Sequence, residues 1–111
     1  MIKIISIGKI KEKYLKDGIE DYLKRITKYH KINLIELPDS NIDSEGNEII
    51  KYLNNKDYII SLAIEGTNLS SEELSKKIDN IFITNPNITF IIGGSNGIRE
   101  DIKKRSNYLL S

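Results

Sequence analysis

Four short apolar runs, Ile2–Ile7, Ile32–Leu37, Asp57–Ile64 and Ile88–Ile92, alternate along the chain with stretches whose apolar residues recur at helical spacing. Alternation of this kind predicts an α/β domain with a mainly parallel central sheet and helices on both of its faces. The third run is too continuously apolar for a half-exposed strand, so it predicts a strand covered on both sides that ends at Glu65-Gly66. Tyr14, Leu15, Ile19, Tyr22, Leu23 and Ile26 recur at three- and four-residue intervals, which predicts a first helix over about residues 10–29. A weaker helical face, Ile49, Ile50 and Leu53, lies between Ser44 and Asn54. The third helix carries the clearest local code. Ser70-x-x-Glu73 is a capping box, and Leu69 and Leu74 occupy the staple positions around it, so the helix starts near Ser71. Leu74, Ile78, Ile81 and Phe82 supply its buried face, and Asn85-Pro86 ends it. A fourth helix over about 98–105 has Glu100 and Asp101 in its first turn and Lys103, Lys104 and Arg105 in its last, which suits the helix dipole. Tyr108-Leu109-Leu110 begins a fifth strand, giving the order βαβαβαβαβ without repeat or linker. A length of 111 residues allows one domain over 1–111 with a single core.

Composition narrows the chemistry. With 39% apolar and 30% charged residues the chain has ordinary globular composition, and its longest uncharged apolar runs are only about strand length, which argues against a membrane span. The absence of cysteine excludes disulfides, thiolate metal sites and a cysteine nucleophile, and a single histidine, His30, argues against a zinc centre. His30 is expected near the end of the first helix as a solvated or dipole-compensating residue. Charge is unevenly spread: residues 1–31 hold nine Lys/Arg against four Asp/Glu, residues 36–86 hold four against ten, and residues 87–111 hold four against two. Lys9, Lys11, Lys13, Lys16, Lys24, Arg25, Lys28 and Lys31 therefore crowd the first helix and its flanks, where they could meet phosphates or form a solvated polar face.

The stretch from Asn87 to Glu100 joins the fourth strand to a helix through three glycines, Gly93, Gly94 and Gly97. Glycines give a backbone free to take φ > 0 and to let a ligand approach without a Cβ in the way. Crevices beyond the carboxyl ends of strands are where ligands bind in open α/β sheets. The spacing G-G-x-x-G is neither the dinucleotide fingerprint nor a P-loop, so a cofactor other than NAD or a nucleoside triphosphate is implied. The same turn is equally compatible with a plain strand-to-helix connection.

Several pieces of the chain resemble one family along its whole length. They are Ile5-Ser6-Ile7-Gly8-Lys9-Ile10-Lys11-Glu12-Lys13-Tyr14, Tyr22-Leu23-Lys24-Arg25, Ile35-Glu36-Leu37-Pro38-Asp39, Leu62-Ala63-Ile64-Glu65-Gly66 with Leu69-Ser70-Ser71-Glu72, and Phe90-Ile91-Ile92-Gly93-Gly94-Ser95-Asn96-Gly97 followed by Arg105-Ser106-Asn107-Tyr108. This resembles the ribosomal large-subunit RNA methyltransferase H family, pseudouridine N3-methyltransferases of the SPOUT superfamily. The resemblance implies an α/β-knot fold, S-adenosylmethionine at the C-terminal ends of the central strands, and a pseudouridine of 23S rRNA within the ribosome as substrate. It also implies a homodimer, a cytoplasmic location and no metal. Carried over by position, Leu62 would contact the cofactor from the end of strand three and Gly94 from the turn, while Gly93 and Gly97 would shape the close approach.

Members of the family continue through an adenine-wrapping loop, a Thr-x-Pro-His segment and a terminal helix. The resemblance therefore leads us to expect a chain truncated before the knot is completed, with weak or no cofactor binding of its own. No residue of the chain stands out as the base that would deprotonate N3; of the carboxylates at strand ends, Asp57 starts a strand and Glu65 is nearest the crevice. A non-enzymatic flavodoxin-like nucleotide- or RNA-binding module is the alternative reading.

Overall fold

The computed structural model describes residues 1–10 and 20–111. Its elements are β1 (Ile2–Ile7), α1 (Glu20–Tyr29), β2 (Ile32–Leu37), α2 (Ile42–Ile50), β3 (Tyr58–Thr67), α3 (Ser71–Thr84), β4 (Ile88–Ile92), α4 (Glu100–Arg105) and β5 (Tyr108–Leu110). The strands form one sheet in the order β2-β1-β4-β3-β5, every pair parallel. Register follows the apolar rows, with Ile4 beside Leu34 on one side and Phe90 on the other, and Ile60 beside Phe90 and Tyr108.

Side chains of successive strand residues point to opposite faces, and each face has its own core. On one face Ile2, Ile4, Ile60, Ile88, Phe90 and Ile92 pack with Ile26 of α1 and Leu74, Ile78 and Ile81 of α3. On the other, Ile5, Ile7, Ile59 and Ile91 pack with Ile49 of α2 and with Ile98 and Ile102 at and within α4. Helices after consecutive strands thus alternate faces, as expected of an α/β sheet. Of the residues expected on the buried face of the first helix, Ile26 is buried; Tyr14, Leu15, Ile19 and the side chains of Tyr22 and Leu23 lie outside the described residues, as do Lys11, Lys13 and Lys16.

Local codes place the ends of the elements. In α3 the Ser70 hydroxyl accepts from the Glu73 N–H (3.1 Å) and the Glu73 carboxylate accepts from the Ser70 N–H (3.0 Å), so the helix starts at Ser71 as its sequence predicts. Leu69 packs against the core that contains Leu74. Three boundaries differ from the sequence expectation. Helix α2 spans Ile42–Ile50 instead of lying around Ser44–Asn54, because the Asn41 side chain caps it by accepting from the Ser44 N–H at 2.8 Å. Helix α4 begins at Glu100, since Arg99 keeps an extended backbone and Ile98 is drawn into the core. Strand β3 continues to Thr67, and its far half is not covered: Ile64 is 98% exposed. Pairing with β5 is regular to Leu62–Leu110, is interrupted, and resumes where Thr67 meets the same Leu110. Residues 63–66 form a bulge at this step, with Ile64 and Glu65 exposed and Gly66 close against the Leu109–Leu110 backbone.

Candidate functional site

Strand β3 is followed by a helix on one face and its neighbour β4 by a helix on the other, so their outgoing chains diverge and leave a crevice at the carboxyl ends. The crevice is a cleft of about 590 Å³. One wall is Leu62–Glu65 of the β3 bulge, the other is Ile92–Ile98 with Lys103 of α4, and Leu110 and Ser111 close the side next to β5. Leu62, Gly93, Gly94 and Gly97, more than thirty positions apart in sequence between the first and the rest, therefore share one cavity. Sequence reading did not single out Leu110, Asn96 or Lys103 as lining residues. Leu110 was findable only through its register opposite Leu62, which no local pattern encodes.

The three glycines serve different ends. The Gly97 N–H donates to the Gly94 carbonyl at 3.0 Å, closing a four-residue turn in which Gly97 has φ 74°. A Cβ at Gly97 would meet nothing within 4 Å, so this position needs glycine for its backbone conformation alone. A Cβ at Gly93 would come within 2.7 Å of the Gly97 carbonyl oxygen, so the turn could not fold back on itself. At Gly94 the missing Cβ would point at Asp39 Oδ1 (2.7 Å) and Ile7 Cγ2 (2.9 Å), toward β1 and the loop after β2. The close approach that a side chain at Gly94 would obstruct is thus with the protein's own Asp39 and Ile7, while Gly94 also lines the cleft.

Behind the turn, the β2–α2 side braces it. The Asn96 side-chain amide donates to the Ser40 carbonyl at 2.9 Å. Arg99 donates to the Asp43 carbonyl and to Asn47 Oδ1, both at 2.9 Å, and forks onto Asp101 at 2.7 and 3.0 Å. That fork holds the Asp101 carboxyl below, and the Arg99 guanidinium above, their ordinary pKa values. Gly46 leaves the room Arg99 needs, since a Cβ there would lie 2.7 Å from its guanidinium carbon. The far wall of the cleft is therefore fixed before any ligand arrives. Its floor is apolar, from Leu62, Ile92 and Leu110, and its polar lip carries Lys103, whose ammonium lies 3.2 Å from Glu65 Oε1.

The other residues considered from sequence lie elsewhere. Asp57 is buried ahead of β3, where it accepts from the Thr89 hydroxyl at 3.2 Å with Lys3 at 3.9 Å, at the opposite end of the sheet. His30 follows the end of α1, as the sequence predicts, and is half-buried with its ring tilted against Phe82, centroids 5.1 Å apart. Lys24, Arg25, Lys28 and Lys31 are exposed. Among the described residues, no helix is long and apolar enough to cross a membrane.

Comparison with known sequences decides the family. The sequence model described as "Predicted SPOUT methyltransferase" matches residues 1–111. The chain belongs to the SPOUT methyltransferase family. It is 47% identical to the ribosomal RNA large subunit methyltransferase H of Alkaliphilus oremlandii and 46% identical to that of Clostridium botulinum (strain Alaska E43), in each case over 98% of this chain and 77% of the relative. The protein of the same name from Streptococcus agalactiae serotype III is 44% identical over 99% of the chain and 78% of the relative. The SPOUT match agrees with the α/β expectation and with a methyltransferase, and weighs against the non-enzymatic flavodoxin-like module.

Proposed function

We propose that the chain transfers a methyl group from S-adenosylmethionine, held in the cleft between β3 and β4, to ribosomal RNA, with N3 of a 23S pseudouridine as the acceptor. The observation that carries this reading is the convergence of Leu62, Gly93, Gly94 and Gly97 on one cleft at the carboxyl ends of the strands. The large-subunit RNA named for the relatives supplies the substrate class. The homodimer and cytoplasmic location implied by the resemblance belong to the same proposal.

The cleft suits such a donor. A nucleoside is held by apolar walls and backbone groups, which Leu62, Ile92, Leu110 and the turn offer; a triphosphate would need a cationic cradle, and among the described residues Lys103 is the only cationic side chain on the lining. When bound, S-adenosylmethionine supplies an electrophilic sulfonium methyl. The residues of the chain act by position. Asn96 holds the turn to Ser40 in the β2–α2 loop and Arg99 holds it to α2, so the wall needs no reorganisation during the reaction. The pseudouridine N3 must lose its proton as the new N–CH₃ bond forms and the S–CH₃ bond breaks. The exposed Lys24, Arg25, Lys28 and Lys31 of α1 and its flank offer contacts to RNA phosphates.

Incubating the protein with ribosomal subunits and isotopically labelled S-adenosylmethionine, then digesting the RNA to nucleosides for mass spectrometry, tests the proposal. Label on a pseudouridine of 23S rRNA, at N3, is the expected result. Label on a different nucleoside would overturn the assigned acceptor.

A further inference from the structure

Among the described residues, Glu65 and Lys103 are the only charged side chains on the lining of the cleft. They face each other across its mouth, one on the β3 bulge and one on α4, with Lys103 Nζ 3.2 Å from Glu65 Oε1 and 3.5 Å from Oε2. Glu100 lies 3.8 Å from the same ammonium, on the α4 side. Every other described side chain on the lining is apolar or an uncharged amide or hydroxyl. A cleft of this kind presents an apolar, backbone-lined floor and one oppositely charged pair at the lip. Resting on the cofactor reading above, we infer that Glu65 and Lys103 form a subsite for the zwitterionic amino-acid end of the donor, Lys103 taking its carboxylate and Glu65 its ammonium.

The chemistry of the pair supports this. Half of Glu65 is in water, so the direct ion pair is weakly held and opens at little cost. An α-amino acid carries its two charges on one carbon, close enough together to meet both partners at once. Inserting it exchanges one solvent-screened contact for two charge-assisted ones while the apolar floor keeps the nucleoside. The bulge matters here, because a regular β3 beyond Leu62 would continue along β5 and keep Glu65 in the sheet; the interrupted pairing between Leu62 and Thr67 is what carries Glu65 to the lip.

S-adenosylhomocysteine and 5′-methylthioadenosine share the nucleoside and the thioether and differ in the amino-acid end, so together they isolate the subsite. Their dissociation constants, taken from chemical-shift titrations of the protein, are compared with those of Lys103→Met, Lys103→Arg and Glu65→Gln. Lys103→Met and Glu65→Gln are expected to weaken S-adenosylhomocysteine about fivefold or more, with 5′-methylthioadenosine changed less than about twofold and Lys103→Arg close to the parent. Equal losses for both compounds, or none for either, would overturn the subsite and leave the cleft as a nucleoside site. Binding of neither compound at the cleft of the parent protein would overturn the cofactor reading itself. Unchanged S-adenosylhomocysteine binding with a loss of RNA affinity in Lys103→Met would assign Lys103 to a phosphate and overturn the proposal.

Discussion

Gly94 and Gly97 close the same turn, yet a side chain at each would fail for a different reason. At Gly97 the strain is in the backbone, because φ 74° lies in the left-handed region, and the space around the missing Cβ is open. Gly97→Ala is therefore expected to cost about 1–2 kcal/mol in a urea titration while the fold is kept. Gly94→Val should cost more, since its Cβ meets Asp39 and the fully buried Ile7 and the branched methyls add to the overlap. A smaller loss for Gly94→Val than for Gly97→Ala would contradict the geometry of the turn. From sequence, three glycines said only that close approach was needed; what approaches each of them depends on Asp39 and Ile7, brought there by the β1–β2 and β1–β4 pairings. Glu45 was equally illegible. It is 3% exposed, with one carboxylate oxygen accepting from the Ser40 N–H and the other without a partner among the described residues, and no local pattern of the sequence marks it for burial.

At the scale of single elements, legibility followed the strength of the local code. Helix α3 begins where its capping box says it should, because both reciprocal bonds are made by residues three apart and need no tertiary partner. Ser70→Ala removes one of them and is expected to lower stability by about 1 kcal/mol. The same box gives a pH dependence. The Ser70 N–H, the first cause, and then its hydroxyl hold the Glu73 carboxyl below its ordinary value of 4.5. A carboxyl lowered on folding stabilises the native state above that value, and the contribution is lost as pH falls through the lowered folded value. Urea midpoints measured on descending pH should thus fall faster for the parent than for Glu73→Gln in this range, and parallel curves would contradict the assignment. Helices α2 and α4 were less legible, one shifted by the Asn41 cap and the other shortened by the burial of Ile98. The bulge in β3 had no sequence signal beyond Gly66, whose Cβ would lie 2.7 Å from the Leu109 carbonyl carbon.

For the whole molecule, the alternation of strand and helix patterns was enough to fix the class of fold, because each apolar period answers to one kind of element and parallel neighbours must be joined by crossovers. Strand order was not, and the cleft depends on it: β3 lies between β4 and β5, so Leu62 of β3 meets Leu110 on one flank and the turn after β4 on the other. The groove beside α3, lined by Tyr58, Lys77 and Tyr108, is the rival concavity, where the Lys77 ammonium rests 3.9 Å over the Tyr108 ring. Burial, and then the neighbouring Tyr108, push the Tyr58 phenol above its ordinary value, as befits packing against a sheet edge. A chemical-shift map of the isotopically labelled protein titrated with S-adenosylmethionine separates the two concavities directly. Perturbations confined to Leu62–Glu65, Ile92–Ile98, Lys103 and Leu110 are expected, and perturbations centred on Tyr58, Lys77 and Tyr108 would contradict the placement of the donor between β3 and β4.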